Sequence, residues 1–212
     1  MRTRVKRVGP AVAILMLAGC NSASVSESQC LAGDWETIGF RDGSSGLSST
    51  RLLEHQDACV QHGVIPEREL YLAGWNEGVH RFCQPDNGFA IGERGAGHAN
   101  VCPDELAAAF GAAWRDGRLL HDARADLAAS RREVQRAEAR LEKIGEEILA
   151  SGTAQLDETL TPQQRIELVA ETQRLMEERV RLETELPELR ALVRASERDL
   201  EDLERSLAFA AY

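Results

Sequence analysis

The residues RLLHDARADLAASRREVQRAEARLEKIGEEILA, at positions 118–150, decide the fold of the second half of the chain. Large apolar residues recur every seven positions from Leu120 to Ile148, and smaller ones such as Ala123 and Ala137 follow three positions later. A seven-residue repeat keeps one apolar seam facing a partner helix, which is typical of a coiled coil. The stretch therefore predicts one long helix.

A second seam of the same kind runs from Leu168 to Leu203. Thr161, Pro162 and Gln164 stand before it as a helix cap, a first-turn proline and the partner of a capping box. The interruption at residues 151–153 lets the second helix return along the first, so we expect an antiparallel helical hairpin over residues 118–212. The alternative is a coiled coil between two molecules. Pro187 predicts a kink or break, because proline lacks an N–H and clashes with the preceding turn.

Residues 30–117 precede the hairpin and contain four of the five cysteines. An even set of cysteines in an exported protein favours two disulfides. Three pairings are possible, and we expect Cys30–Cys59 and Cys83–Cys102 because each joins neighbouring elements without crossing. Cysteine and histidine also alternate at zinc-like spacings, as in Cys59-x2-His62, so a metal site is the alternative. Residues 1–20 have the pattern of an export signal, and the oxidising compartment that it implies favours disulfides, so we expect no metal or cofactor.

The same segment repeats a short pattern of small residues four positions apart, each copy preceded by an aromatic residue. Small residues at this spacing let two helices approach closely. We expect one compact helical core, and duplication of a repeat is the further possibility. The copies are Gly39-Phe-Arg-Asp-Gly43, Gly74-Trp-Asn-Glu-Gly78 and Ala113-Trp-Arg-Asp-Gly117, after Trp35, Tyr71 and Phe110.

An acidic residue in each copy, Asp42, Glu77 or Asp116, suggests an alternative in which the protein is an enzyme. Two carboxyl groups at a suitable separation can cleave a glycosidic bond. An acid before glycine is also common at turns and helix ends. No Gly-x-Ser-x-Gly motif is present, so we expect no catalytic residue.

Other local signals place the remaining elements. Helices are expected over residues 50–62, from Pro66 to about Phe82, and from Pro103 onward. The glycines between positions 88 and 97 lack the order of a nucleotide-binding loop and predict a turn-rich excursion closed by Cys83–Cys102.

The pattern of residues 1–20 is typical of an export signal. Four basic residues precede an apolar run from Ala11 to Ala18, which is too short to span a bilayer. The run ends in Leu17-Ala18-Gly19-Cys20, which resembles a bacterial lipobox, so we expect cleavage of residues 1–20 and acylation of Cys20 with fatty acids such as palmitate. An ordinary secretory signal is the alternative. Residues 21–29 are polar and predict a flexible tether.

These features resemble those of short bacterial lipoproteins carrying the domain of unknown function numbered 2799. The resemblance covers roughly residues 20–120, implies an envelope location and implies no known reaction. Its pattern comprises the lipobox, Cys30, Asp34-Trp35, Gly39, Asp42-Gly43, His55, Cys59-x3-Gly63, Tyr71-x2-Gly74, Gly78, Cys83, Gly92, Gly95, Cys102-Pro103, Phe110 and Gly117. The chain departs from it at Gly97-His98, where an aromatic residue is expected.

Composition narrows the function. The formal charge is −10, and an acidic chain repels the phosphates of nucleic acid. We therefore expect no binding to nucleic acid.

The residue after the lipobox cysteine indicates the location. Because Asn21 rather than Asp follows Cys20, we expect a lipid anchor in the outer membrane facing the periplasm. The expected role is that of a non-enzymatic scaffold whose coiled coil binds a periplasmic protein or a second copy. A peptidoglycan-binding or peptidoglycan-hydrolysing protein is the alternative. We expect the uncharged tail, Leu207 to Tyr212, to dock near Pro103–Phe110.

Overall fold

The computed structural model describes residues 24–208, which form seven α-helices and no β-strand. The mainly α class, with a disulfide-linked helical domain followed by a long helical hairpin, is confirmed. The predicted signal peptide and the lipidation site Cys20 lie outside the described residues. The helices are α1 Glu27–Ala32, α2 Trp35–Ser44, α3 Arg51–Val60, α4 Arg68–Phe82, α5 Pro85–Glu93, α6 Asp104–Ala154 and α7 Pro162–Ala208.

Helices α2 and α4 cross with their backbones in contact. A Cβ added at Gly74 would overlap the carbonyl oxygen of Glu36, and one added at Gly39 would overlap that of Tyr71. Gly43 and Gly78 meet the facing backbone in the same way. The repeated small residues therefore form the contact surface of this helix pair, as their spacing predicted.

Helices α5 and α6 cross in the same manner. A Cβ at Gly92 would overlap the carbonyl oxygen of Trp114, and one at Gly117 would overlap that of Phe89. The turn-rich excursion expected between positions 88 and 97 is wrong over its first half, which lies in α5. Pro85 at the first helical position and close packing against α6 outweigh the low helix propensity of glycine here.

The two helix pairs are copies of one design. The first helix of each pair ends before a left-handed glycine, Gly46 with φ 70° and Gly95 with φ 72°. A tryptophan of the second helix donates its indole N–H to the carbonyl oxygen of the residue that follows this glycine. Trp75 donates to Leu47 at 2.8 Å, and Trp114 donates to Ala96 at 2.9 Å. The repeating unit is thus a pair of helices, each of which contains one copy of the small-residue pattern. The fourth copy, on α5, is Gly88-Phe-Ala-Ile-Gly92.

Each pair has its own disulfide. Cys30 bonds to Cys59 and Cys83 bonds to Cys102, with Cα atoms 5.5 and 5.6 Å apart. This is the pairing we expected. In both units the bond joins the chain before the first helix to the chain before the second. Each bond lowers the conformational entropy of the unfolded chain and so stabilises the folded helix pair.

The flexible tether expected over residues 21–29 is wrong for its described part. Val25 is buried in the core, and Ser26 and Gln29 form a reciprocal capping box that starts α1. The cap and the anchoring of Cys30 by its disulfide order a segment whose composition alone predicts disorder. The folded domain therefore includes Ser24, which is four positions after Cys20.

Helix α6 continues through the boundary expected at residues 117 and 118 and through the break expected at residue 151. Ser151 is buried, and its hydroxyl lies 2.8 Å from that of Thr172. The polar residues that suggested a break are accommodated by this contact with α7. The part of α6 beyond Gly117 spans about 55 Å at 1.5 Å per residue.

Helix α7 returns antiparallel to α6, as predicted. It begins at Pro162, where Thr161 and Gln164 form the expected capping contacts, and it continues past Pro187 without a break. Ion pairs record the direction, since residues later in α6 meet residues earlier in α7. These are Arg124–Glu204, Arg131–Glu197, Glu138–Arg190 and Arg140–Glu178.

The end of α7 reaches the base of the hairpin, where Glu204 meets Arg124. The expected docking of the tail falls mostly on residues 209–212, which lie outside the described residues. Within the described part, no helix is both long and apolar enough to cross a membrane.

Candidate functional site: a buried polar cluster

A chain of polar side chains lies inside the first helix pair. His55 of α3 places Nε2 at 2.6 Å from Oδ2 of Asp42 and Nδ1 at 2.7 Å from Oγ of Ser24. The hydroxyl of Tyr71 donates to the same Asp42 oxygen at 3.1 Å. Asp42, His55 and Tyr71 are essentially inaccessible to solvent, at 2%, 0% and 0% exposure. We call these four residues the polar cluster.

Two arginines flank the Asp42 carboxylate, Arg41 at 3.5 Å and Arg51 at 3.8 Å. Burial by itself raises the pKa of Asp42, but the hydrogen bond and charge of His55, the hydroxyl of Tyr71 and the charge of Arg41 outweigh it and lower that pKa. Burial and then the adjacent carboxylate raise the pKa of Tyr71. At neutral pH Asp42 is therefore the anion of the cluster, and Tyr71 keeps its proton and donates a hydrogen bond to it.

The second helix pair shows that the scaffold does not require this cluster. The position equivalent to Asp42, immediately before the second glycine, is Ile91, and the position equivalent to Tyr71 is Phe110. Both are buried in an apolar core with Phe82 and Val79. The same crossing is thus built once with polar and once with apolar side chains, so the polar version has a role of its own.

The order Ser24–His55–Asp42 resembles that of a nucleophilic triad, but its imidazole lies inside the fold. A substrate must reach the nucleophile and its base, whereas His55 has no exposed surface. A cavity of about 310 Å³ beside α3 has none of the cluster among its lining residues, which are Ser49, Thr50, Leu52, Leu53, Gln56, Pro66, Arg68 and Leu72. The hydrogen bonds of the polar cluster attach the N-terminal segment, through Ser24, to α3 and through His55 to α2 and α4.

The three acidic residues considered for catalysis occupy different environments. Asp42 lies in the polar cluster, Glu77 is exposed on α4, and Asp116 is half-buried on α6. Sequence reasoning did not recognise Ser24, His55 and Tyr71 as partners of Asp42. The available signal was the presence of His55 and Tyr71 in the pattern that resembles the lipoprotein family.

The cysteines and histidines considered for zinc are used otherwise. All four cysteine sulfurs lie in disulfides, and Nδ1 of His62 lies 3.7 Å from a carboxylate oxygen of Glu27. Between residues 24 and 208, no three or more His, Cys, Asp or Glu side chains are grouped so as to hold a metal ion.

The fold and the site define a class: a duplicated, disulfide-linked pair of crossed helices, one copy containing a buried polar cluster. Residues 34–119, which run from the start of α2 to the first two residues of the hairpin arm, match the family described as "Protein of unknown function (DUF2799)". This supports the resemblance to that family. No curated protein and no solved structure matches the chain.

Proposed function

We propose that the protein is a lipid-anchored, non-enzymatic scaffold of the bacterial envelope, held in the outer membrane through Cys20 and facing the periplasm. The observation that carries the proposal is the continuity of α6. One helix of 51 residues belongs to the disulfide-linked domain at its beginning and forms an arm of the hairpin at its end. Movement at the anchored domain is therefore transmitted rigidly to the hairpin, which suits a protein that presents a binding surface at a fixed position.

The polar cluster supports the same role at the other end of the molecule. Ser24 is bonded to His55 only four positions after Cys20. A lipid on Cys20 would then hold the folded domain within about 15 Å of the membrane surface, since an extended residue spans at most about 3.6 Å. The domain serves as the base, and the hairpin projects from it.

The chemistry of Asp42 also favours a structural role. A glycosidase needs one carboxyl group that stays protonated near neutral pH in order to donate its proton, and a second, ionised one with an oxygen free to face the substrate or a water. The pKa of Asp42 is lowered, and its oxygens are occupied by side chains of the protein itself. These properties suit an anion that orders His55 and Tyr71.

A direct assay tests the non-enzymatic role. The purified full chain, incubated with intact peptidoglycan, is expected to release no more soluble fragments than buffer, as measured by chromatography and mass spectrometry. Release that disappears in Glu77→Gln, whose exposed side chain can be changed without disturbing the fold, would establish a hydrolase and contradict the proposal. Asp116→Asn, judged with its thermal midpoint, extends the test to the second acid.

A further inference from the structure

Helix α7 has a second stripe beside the seam that packs on α6. Its positions alternate three and four apart, as a coiled-coil seam does: Ile166, Val169, Gln173, Met176, Val180, Glu183, Pro187, Arg190 and Arg194. The half near the hairpin tip is apolar, and Ile166, Val169, Met176 and Val180 are 45–64% exposed. The half near the base ends in two arginines. We call this the outer stripe.

Helix α6 presents a matching surface on the same side of the hairpin. Arg190 donates to Glu138 at 2.6 Å, and an open groove of about 300 Å³ is shared by the two helices. Its lining residues are Arg131, Val134, Gln135, Arg190, Val193 and Arg194. Towards the tip, α6 leaves Leu149 at 73% exposure.

Unpaired charges of opposite sign lie at the two ends of this surface. Within the described chain, Arg132 and Arg194 near the base form no ion pair, and neither do Glu146 and Glu177 nearer the tip. All four side chains are exposed. The basic end of one molecule is therefore complementary to the acidic, apolar end of another.

A single twofold axis can place Arg132 opposite Glu146 and Arg194 opposite Glu177 of a second copy. The midpoint between Arg132 and Glu146 on α6 is Ala139, and the midpoint between Arg194 and Glu177 on α7 lies at Glu185 and Leu186. Ion pairs fix which levels of the two helices face each other: Glu138 meets Arg190, and Arg140 meets Glu178. The level of Ala139 thus falls between residues 178 and 190 of α7, the interval that contains the second midpoint.

We propose that the outer stripe binds a second copy of this chain, antiparallel, so that two hairpins form a four-helix bundle. In this arrangement Arg132 faces Glu146 of the other copy, Arg194 faces Glu177, and the apolar end of each stripe covers the groove of its partner. Such an interface is isologous, because the same patch serves both copies. The inference rests on the proposed scaffold function and names one partner of the hairpin.

Sedimentation equilibrium of the full chain in density-matched detergent tests the proposal. We expect the mass of two chains for wild type and of one chain for both R132E/R194E and E146R/E177R, since each variant places like charges opposite each other. When the two variants are mixed, every facing pair is again of opposite sign, and we expect the mass of a dimer to return.

The matched control for R132E/R194E is R81E/R174E, which makes the same change of charge at two exposed arginines that form no ion pair within the described chain. Arg81 lies in α4, and Arg174 lies on α7 outside the outer stripe, so this variant is expected to remain dimeric. Circular dichroism should show equal helicity in all variants. A monomeric wild type, or a mixture of the two variants that stays monomeric, would overturn the proposal. Neither result bears on the proposed lipid anchor at Cys20, which is tested separately by the mass of the N-terminal peptide.

Discussion

Gly74→Ala is expected to destabilise the protein by roughly 3 kcal/mol or more, because the new methyl group would meet backbone that has no rotamer to change. The carbonyl of Glu36 occupies the space, so α2 and α4 must separate along the whole crossing. For a chain of this size the thermal midpoint should fall by about 6–12 °C. Calorimetry of the full chain measures the change.

Gly145→Ala is the matched control, since the same substitution on the exposed face of α6 meets open space. There alanine should stabilise the protein by about 0.5–1 kcal/mol, through its higher helix propensity. If Gly74→Ala behaved like Gly145→Ala, the backbone contact between α2 and α4 would not exist as described.

Asp42→Ala is expected to cost about 3–5 kcal/mol, because it leaves the buried His55 and Tyr71 without their common acceptor. The second helix pair suggests how to recover the loss. The triple variant Asp42→Ile, His55→Leu, Tyr71→Phe replaces the polar cluster by apolar side chains, with isoleucine and phenylalanine as in Ile91 and Phe110. We expect it to be at least 2 kcal/mol more stable than Asp42→Ala, because it replaces the imidazole of His55 and the hydroxyl of Tyr71, which Asp42→Ala leaves without their acceptor.

Acid titration provides an independent readout of the same cluster. Because the pKa of Asp42 is lower in the folded chain than in the unfolded chain, its contribution is complete above about pH 4 and is lost as pH falls through the folded value. Wild-type stability should therefore decline more steeply below about pH 4 than that of the triple variant. Equal acid limbs, or a triple variant no more stable than Asp42→Ala, would contradict the role given to Asp42.

The periodic parts of the molecule could be predicted from sequence because their pattern is local. The heptad pattern predicted the long helices α6 and α7, and the cap at Thr161 predicted that α7 begins at Pro162. The glycine spacing likewise indicated close helix contacts. In each case the residues that determine the structure lie within a turn or two of one another.

The features that sequence reasoning missed depend on contacts between distant residues. The helix α5 is rich in glycine and is stable only against α6, and the ordering of Ser24–Gln29 depends on Val25 burial and the disulfide of Cys30. The polar cluster joins residues 24, 42, 55 and 71, which no helical or strand period relates. Tertiary structure, and not local propensity, brings them together.

The central claim is that the chain is anchored in a membrane by lipid on Cys20, and the mass of its N-terminal peptide tests this most directly. The full chain is produced in a bacterium, extracted from membranes, digested and analysed by mass spectrometry, with Cys20→Ala as the control. The account predicts a peptide that begins at Cys20 and contains covalently bound acyl chains, and it predicts no such peptide for the variant. A wild-type chain with an unmodified Cys20, or one that begins elsewhere, would contradict it.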